Sequence, residues 1–118
     1  MSNRWIEVEG RAVPADSQGM TLEEWGAWYE NADRRVARDH IPPWDVSTVF
    51  LGLDHSWLPN RPPMIYETMI FHEYTHRDEG CWRYSTREAA ECGHREICEA
   101  LRNGASIEAV RELEIPAH

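Results

Sequence analysis

The sequence lacks the features of a membrane protein. None of its apolar runs approaches the roughly 18 to 20 residues that a membrane-spanning helix needs. The N-terminal segment MSNRWIEVEG also lacks the basic and then apolar order that is typical of a signal peptide. We therefore expect a protein that has no membrane partner and stays in the cytoplasm.

Disulfide spacing and basic clusters are also missing. Cys81, Cys92 and Cys98 are odd in number and lack C-x-x-C spacing, which suits reduced thiols better than a disulfide framework. The formal charge is −9, and the densest basic cluster is the pair Arg34 and Arg35. Because such a chain repels phosphate backbones, we expect no direct contact with nucleic acid.

Several catalytic signatures are absent as well. The chain contains no glycine-rich nucleotide loop, no G-x-S-x-G sequence, no paired-carboxylate signature and no internal repeat. Its 118 residues, of which 42% are hydrophobic, have the size and composition of one globular domain. These observations favour a protein that is not an enzyme and needs no cofactor.

Capping signals and hydrophobic periodicity predict the helices. Thr21 precedes Glu24 by three residues, which forms a capping box, and apolar residues then recur at helical spacing as far as Val36. A second capping box begins at Ser85, and Gly104 can end the helix that follows it. A short last helix follows.

The middle of the chain has the composition of strands. Val46–Leu53, Met64–Phe71 and Cys81–Ser85 are rich in β-branched and aromatic residues, and Val36–Ile41 can turn extended before two prolines. Short links between them favour an antiparallel meander. We predict a single α+β domain, residues 1–118, in which a sheet of three to four strands packs with two to three helices. Its parts are an N-terminal strand and loop (1–20), a helix (21–36), the β-meander (36–85) and C-terminal helices (86–114).

The stretch from His72 to His76 contains H-E-x-x-H, the pattern of a zinc peptidase. In that interpretation His72 and His76 bind the metal, Glu73 acts as the general base, and His94 or Glu91 supplies a third ligand. The pattern requires both histidines on one face of a helix. A small zinc-dependent hydrolase is therefore the alternative to a protein without catalytic activity.

The neighbouring sequence favours a hairpin at this stretch. Met64–Phe71 precedes it with strand composition, Cys81–Ser85 follows with strand composition, and Gly80 can take the positive φ of a turn. We therefore predict that His72 lies at a strand end and His76 in the turn, without a helical i to i+4 relationship and without a metal.

Two other histidine arrangements follow from spacing. If the strand links are centred near Pro43 and Pro59, then His40, Ser47 and His72 lie opposite one another on neighbouring strands. A solvent-facing polar row is the simpler alternative.

His94 falls between Ala90 and Ile97 on the apolar side of the second long helix, which favours a half-buried structural histidine. Cys92 and Cys98 are expected to point to different helix faces, so convergence of these three residues on zinc is not predicted.

Three blocks of the sequence resemble a known group of proteins. The blocks are VSTVFLGLDHSW, PPMIYETMIF and WRYSTREAAECGH, which lie between Val46 and His94. In this order the chain resembles a family of small uncharacterised proteins encoded by bacteriophages and prophages of actinobacteria. The resemblance implies phage origin and a place in the cytoplasm of the host bacterium, and it implies no site residues. The family typically has a short glycine-containing link where this chain has HEYTHRDEG, which favours loop variation as the origin of H-E-x-x-H.

These observations favour a phage accessory protein that binds a host or phage protein without catalysis. Small size, acidic charge and six tryptophans point in this direction. Because tryptophan dominates binding hot spots, we expect Trp44 and Trp57, together with His55, to contact the partner. A homo-oligomeric structural module is a further alternative, and it would use the same aromatic residues or an uncovered sheet edge.

Overall fold

A computed structural model of the protein describes residues 3–56 and 60–118. Within these residues the chain forms a four-stranded and a two-stranded antiparallel sheet together with three α-helices, which confirms the predicted α+β class. The strands are β1 (Trp5–Val8), β2 (Arg11–Pro14), β3 (Arg35–Ile41), β4 (Trp44–Phe50), β5 (Tyr66–His72) and β6 (Asp78–Tyr84). The helices are α1 (Leu22–Asn31), α2 (Arg87–Arg102) and α3 (Ile107–Arg111), and a 3-10 turn lies at Ala15–Gln18. None of the described helices combines the length and the apolar character needed to cross a membrane.

The four-stranded sheet, here called the main sheet, has the strand order β3-β4-β5-β6. Each strand pairs antiparallel with its sequence neighbour, as the predicted meander requires. Alternate side chains of β4 and β5 are buried, because one face of the sheet is covered by α2. The register places Val46 opposite Ile70, Thr48 opposite Thr68, and Phe50 opposite Tyr66.

The first helix is shorter than its hydrophobic spacing predicts. Its capping box forms as expected, but α1 ends at Asn31, and Val36 lies in β3. The carboxylate of Asp33 accepts a hydrogen bond from the backbone N–H of Arg35 (3.2 Å), and Arg35 then pairs with Val49 of β4. Pairing with a neighbouring strand therefore overrides the helical spacing at the end of this segment.

The predicted N-terminal strand is present as β1, but it belongs to a hairpin that was not predicted. β1 and β2 are joined by Glu9 and Gly10, whose φ angles are 52° and 77°. Positive φ at both positions is the requirement of a type I′ turn, and glycine at the second position satisfies it without strain. The N–H of Trp5 also donates to the carbonyl of Gly52 (2.8 Å), which fastens β1 to the segment after β4.

Helix α2 begins one residue later than predicted. Thr86, and not Ser85, is its N-cap, and the Thr86 hydroxyl accepts the N–H of Ala89. Ser85 is buried, and its hydroxyl contacts Nδ1 of His118 (3.1 Å) and the sulfur of Met64 (3.9 Å) instead of the first turn of the helix. The predicted helix end is confirmed, since Gly104 follows the C-cap with a φ of 85°.

Two apolar clusters lie beneath α2, and a polar seam separates them. The first contains Val46, Ile70, Ile97, Cys98, Leu101 and Val110. The second contains Phe50, Ile65, Tyr66, Tyr84, Ala89 and Ala90. Thr48 and Thr68 lie opposite each other between the two clusters and are fully buried, and α2 places His94 against them.

Candidate functional site

The H-E-x-x-H stretch occupies the end of β5 and the turn that follows, as predicted. His72 is the last residue of β5, and His76 lies in the loop before β6 with a φ of 58°. One backbone hydrogen bond of helical i to i+4 spacing does form, from the N–H of His76 to the carbonyl of His72 (2.9 Å), although the prediction excluded a helical relationship between these two residues. The left-handed conformation of His76 ends this turn, and Arg77 then pairs back with His72. The helix that a zinc peptidase requires does not form here.

Glu73, the base in the alternative interpretation, is bound to another strand. Its carboxylate forms a hydrogen-bonded pair with His40 Nε2 at 2.5 Å. Its backbone N–H donates to the carbonyl of Pro43 (2.8 Å). The two contacts tie the β5–β6 loop to the end of β3 and to the turn between β3 and β4.

The predicted row of His40, Ser47 and His72 is wrong. His40 pairs with Asp45, and His72 pairs with Trp44, whereas Ser47 lies between Arg38 and Met69. The strands start and end at different residues from those assumed, and a register error of this size moves every side chain along its strand or to the other face.

Three aromatic rings follow one another at this end of the main sheet, and we call them the aromatic tip. Trp44 is half-buried and packs against the first apolar cluster. The His72 ring meets it edge-on with centroids 5.4 Å apart, and Tyr74 lies 6.0 Å beyond His72. The side chain of Tyr74 is 80% exposed, the highest value among the exposed large hydrophobic residues that the structure describes. The tip thus leads from the core to an exposed tyrosine.

Those of the other predicted binding and ligand residues that the structure describes lie outside the aromatic tip. Trp57 falls outside the described residues. His55 is half-buried in the segment after β4, where its N–H donates to the carbonyl of Met64 (3.0 Å). Glu91 forms an ion pair with Arg87 on α2 at 3.6 Å.

A chain of hydrogen bonds crosses the polar seam. Tyr84 Oη donates to Thr68 Oγ1 (3.0 Å), and Thr68 Oγ1 lies 2.5 Å from Thr48 Oγ1. Thr48 Oγ1 in turn lies 2.7 Å from His94 Nδ1. All four side chains are buried, and His94 is only 4% exposed. Burial raises the pKa of Tyr84 to about 12, so its phenol keeps its proton at neutral pH.

The series of hydrogen bonds continues from His94 to the protein surface. His94 Nε2 donates to Asp39 Oδ2 (2.7 Å), and Arg102 donates to the other oxygen of Asp39 (3.1 Å). The hydrogen bond from His94 is the main cause that lowers the pKa of Asp39 below its ordinary value. The Cys98 thiol points at Asp39 Oδ2 (3.7 Å), and burial, with the negative charge of Asp39, raises its pKa to about 11.

One assignment of protons satisfies every member of this chain. Tyr84 donates to Thr68, Thr68 to Thr48, and Thr48 to Nδ1 of a neutral His94 whose proton is on Nε2. If Nδ1 carried a proton instead, it would donate to Thr48, and Thr48 would donate to Thr68. Thr68 would then accept from both Thr48 and Tyr84, and its own buried hydroxyl would have no acceptor among these residues. An unsatisfied buried donor costs about 1–3 kcal/mol. These hydrogen bonds therefore favour a proton on Nε2 of His94, which donates to Asp39, and an Nδ1 that accepts from Thr48.

Among residues 3–56 and 60–118, the one group of metal-ligating side chains with converging atoms is Asp39, His94 and Cys98. Convergence of all three of Cys92, His94 and Cys98 was not predicted, and Cys92 is absent from this group; His94 and Cys98 do converge, because residues four apart share a helix face. The four-residue spacing of His94 and Cys98 could have indicated that these two residues lie together. Nothing in the sequence indicates that Asp39 joins them, since it is 55 residues away from His94.

Comparison with family models, with curated proteins and with solved structures finds no match to this chain. The resemblance to actinobacterial phage proteins therefore stays a prediction.

Proposed function

We propose that this protein is a phage accessory protein that binds a host or phage protein through its aromatic tip, without catalysis. One observation carries the proposal: Tyr74 is 80% exposed in the turn between β5 and β6, and other contacts hold this turn in place. An exposed tyrosine on a mobile loop would lose conformational freedom on binding. A braced tyrosine loses less, so more of its contact energy remains as affinity.

Hydrogen bonds to three residues hold the β5–β6 loop in place. The carboxylate of Glu73 binds His40, and the N–H of Glu73 binds the carbonyl of Pro43. The ring of His72 accepts long hydrogen bonds from the N–H groups of Tyr74 (3.3 Å) and Thr75 (3.4 Å). These contacts use the polar groups of H-E-x-x-H for structure, which supports a binding role over hydrolysis for this stretch.

Charge indicates the chemistry of the partner. The net charge of −9 favours a protein with a basic surface, and Tyr74 favours an apolar pocket with a hydrogen-bond acceptor for the phenol. Trp44, which is half-buried in the aromatic tip, supports the proposal as a second aromatic residue beside Tyr74.

The proposal is tested with Tyr74→Ala and a matched control, Leu22→Ala. Leu22 is also an exposed apolar residue (61%), but it lies at the start of α1 and outside the tip. The chain contains no lysine, so an amine-reactive resin attaches it only through its N-terminal amine. Protein immobilised in this way is incubated with lysate of an actinobacterial host, with and without phage infection.

We expect the wild type and Leu22→Ala to retain one stoichiometric protein, and Tyr74→Ala to lose it. With the purified partner, Tyr74→Ala should raise the dissociation constant about 30-fold, which is the effect expected of a binding hot spot. Equal binding by Tyr74→Ala and the wild type would contradict the role of the tip. Absence of any stoichiometric partner from both lysates would contradict the binding function itself.

A further inference from the structure

The surface end of the hydrogen-bonded chain gathers three different metal ligands. Asp39 Oδ2, His94 Nε2 and Cys98 Sγ all lie within 4.8 Å of one another. Asp39 comes from β3, and the other two residues are one turn apart on α2. We propose that these three side chains form a zinc-binding site, which is independent of the partner-binding function of the aromatic tip.

The distances suit a tetrahedral zinc ion. Zinc bonds of about 2.0 Å to nitrogen or oxygen and about 2.3 Å to sulfur place ligand atoms about 3.3 to 3.6 Å apart. Cys98 Sγ and Asp39 Oδ2 are already 3.7 Å apart. His94 Nε2 and Asp39 Oδ2 are 2.7 Å apart and must separate by a fraction of an ångström. A side-chain rotation of Asp39 on the edge strand of the main sheet supplies this movement.

The surroundings hold two of the ligands in position. Thr48 contacts Nδ1 of His94, the position at which zinc-binding histidines usually have a hydrogen-bond partner. Arg102 binds Oδ1 of Asp39 and leaves Oδ2 free to face the metal. A thiolate, a carboxylate and a neutral imidazole are the donor types that zinc prefers.

The fourth position of the metal is open to solvent on one side. The Asp39 side chain is 38% exposed, whereas His94 and Cys98 are buried. Three protein ligands and one exchangeable position make a site that water or an external donor completes. Such a site loads from solution and does not require the protein to unfold.

Protons move when zinc binds. The Cys98 thiol releases its proton to solvent, while His94 stays neutral and carries its proton on Nδ1 instead of Nε2. Thr48 then accepts from His94 and donates to Thr68, so the Thr68 hydroxyl loses its acceptor among these residues, a cost that the bonds to zinc must exceed. The charged or titratable described groups near Cys98 are Asp39, His94 and Arg102. Because burial and the charge of Asp39 raise the pKa of the Cys98 thiol to about 11, the thiol carries its proton near neutral pH and releases it for each zinc bound.

The test uses full-length protein without a histidine tag, reduced and treated with a chelator. Cobalt(II) replaces zinc in such sites, and a cobalt–thiolate bond gives a charge-transfer band in the near ultraviolet. We expect one equivalent of cobalt to produce this band and one equivalent of zinc to remove it. Cys98→Ser should abolish the band. Cys92→Ser, which changes an exposed cysteine of the same helix, should keep it.

A second variant covers the case in which Cys98→Ser does not fold, as judged by circular dichroism. Asp39→Asn keeps the size of a half-exposed side chain, and it should weaken cobalt and zinc binding at least about tenfold. The proposal fails if the wild type gives no thiolate band, if folded Cys98→Ser retains it, or if Asp39→Asn binds zinc as the wild type does. Loss of zinc binding in His72→Ala, with Cys98→Ser unaffected, would also overturn it and move the metal to H-E-x-x-H.

Discussion

Gly93 illustrates how one residue without a side chain sustains the polar seam. A Cβ at this position would lie 2.3 Å from Oη of Tyr84, which is fully buried and donates to Thr68. No rotation of a buried ring relieves such a contact without breaking the hydrogen-bonded chain. Glycine is therefore required in a helix interior, where it is ordinarily less stable than alanine.

We predict that Gly93→Ala lowers the free energy of unfolding by about 3 kcal/mol, because the added methyl group overpacks the core. Gly26→Ala is the matched control. Gly26 lies inside α1, and no atom lies within 4 Å of the place that a methyl group would occupy, so alanine should raise stability by about 0.5–1 kcal/mol. Urea denaturation of both variants measures the contrast, and a stable Gly93→Ala would show that Tyr84 has room to move.

Asp39 gives the stability a specific pH dependence. The pKa of this carboxyl is lowered from its ordinary value of 3.8, chiefly by the hydrogen bond from His94. A lowered folded-state pKa means that the stabilisation is fully present above the unfolded value, near pH 4, and is lost as the pH falls through the folded value. Asp39→Asn should therefore lower stability at pH 6 and flatten the decline of stability between pH 5 and pH 3. Denaturation curves at several pH values test this; parallel declines for both proteins would exclude Asp39 as the source.

At the scale of elements, local sequence signals predicted the capped ends of helices better than the positions at which strands begin to pair. Thr21 and Glu24 cap α1 as the sequence indicates, and Gly104 ends α2. The end of α1 could not be predicted, because the pairing of Arg35 and Ala37 with β4, and not a local signal, makes the backbone around Val36 extended.

The β1–β2 hairpin had a readable local signal, the Glu9–Gly10 turn. It was missed because β2, Arg11–Pro14, is short and contains a proline, which lowers its apparent strand propensity.

The brace between Glu73 and His40 controls the order of the β5–β6 loop. We predict that Glu73→Gln leaves the main sheet intact but increases the rate of hydrogen exchange at the backbone N–H groups of the loop, because the carboxylate–imidazole contact is lost. Glu79→Gln, in β6, serves as a comparison that removes a different ion pair, with Arg111. Exchange measured by mass spectrometry should separate the two variants. Unchanged exchange in the loop of Glu73→Gln would show that the contacts with Pro43 and with the His72 ring hold the loop without the carboxylate.

At the scale of the whole molecule, one carboxylate joins three parts of the chain that are distant in sequence. Glu7 of β1 accepts a hydrogen bond from Tyr66 of β5 (2.6 Å) and pairs with Arg87 at the start of α2 (3.0 Å). Burial and the contact with Glu7 raise the pKa of Tyr66 well above its ordinary value, so the phenol remains a donor.

Tyr66→Phe should therefore destabilise the protein by about 2 kcal/mol, since the hydrogen bond goes to a charged and mostly buried group. Tyr74→Phe removes a solvent-exposed hydroxyl and should change stability by less than about 0.5 kcal/mol. Thermal and urea unfolding of the two variants provide the comparison. If both variants unfold like the wild type, Glu7 is satisfied by Arg87 alone.

The candidate sites show the same division between local and distant information. The hairpin at H-E-x-x-H was predictable because composition changes on both sides of it. The group of Asp39, His94 and Cys98 was only half predictable: the four-residue spacing on α2 marks two members, but the third comes from β3. Register alone decides that Asp39 faces α2, and register depends on link lengths that composition does not specify.

The directional order of hydroxyls in the polar seam has a spectroscopic consequence. Hydroxyl protons of threonine usually exchange with water too fast to be observed by nuclear magnetic resonance. Thr48 and Thr68 are fully buried; Thr68 donates to Thr48, and Thr48 donates to the His94 ring. Their hydroxyl protons should therefore give separate, slowly exchanging resonances with cross-peaks to the His94 ring. Loss of either signal when a partner or zinc is added would show that water reaches the polar seam.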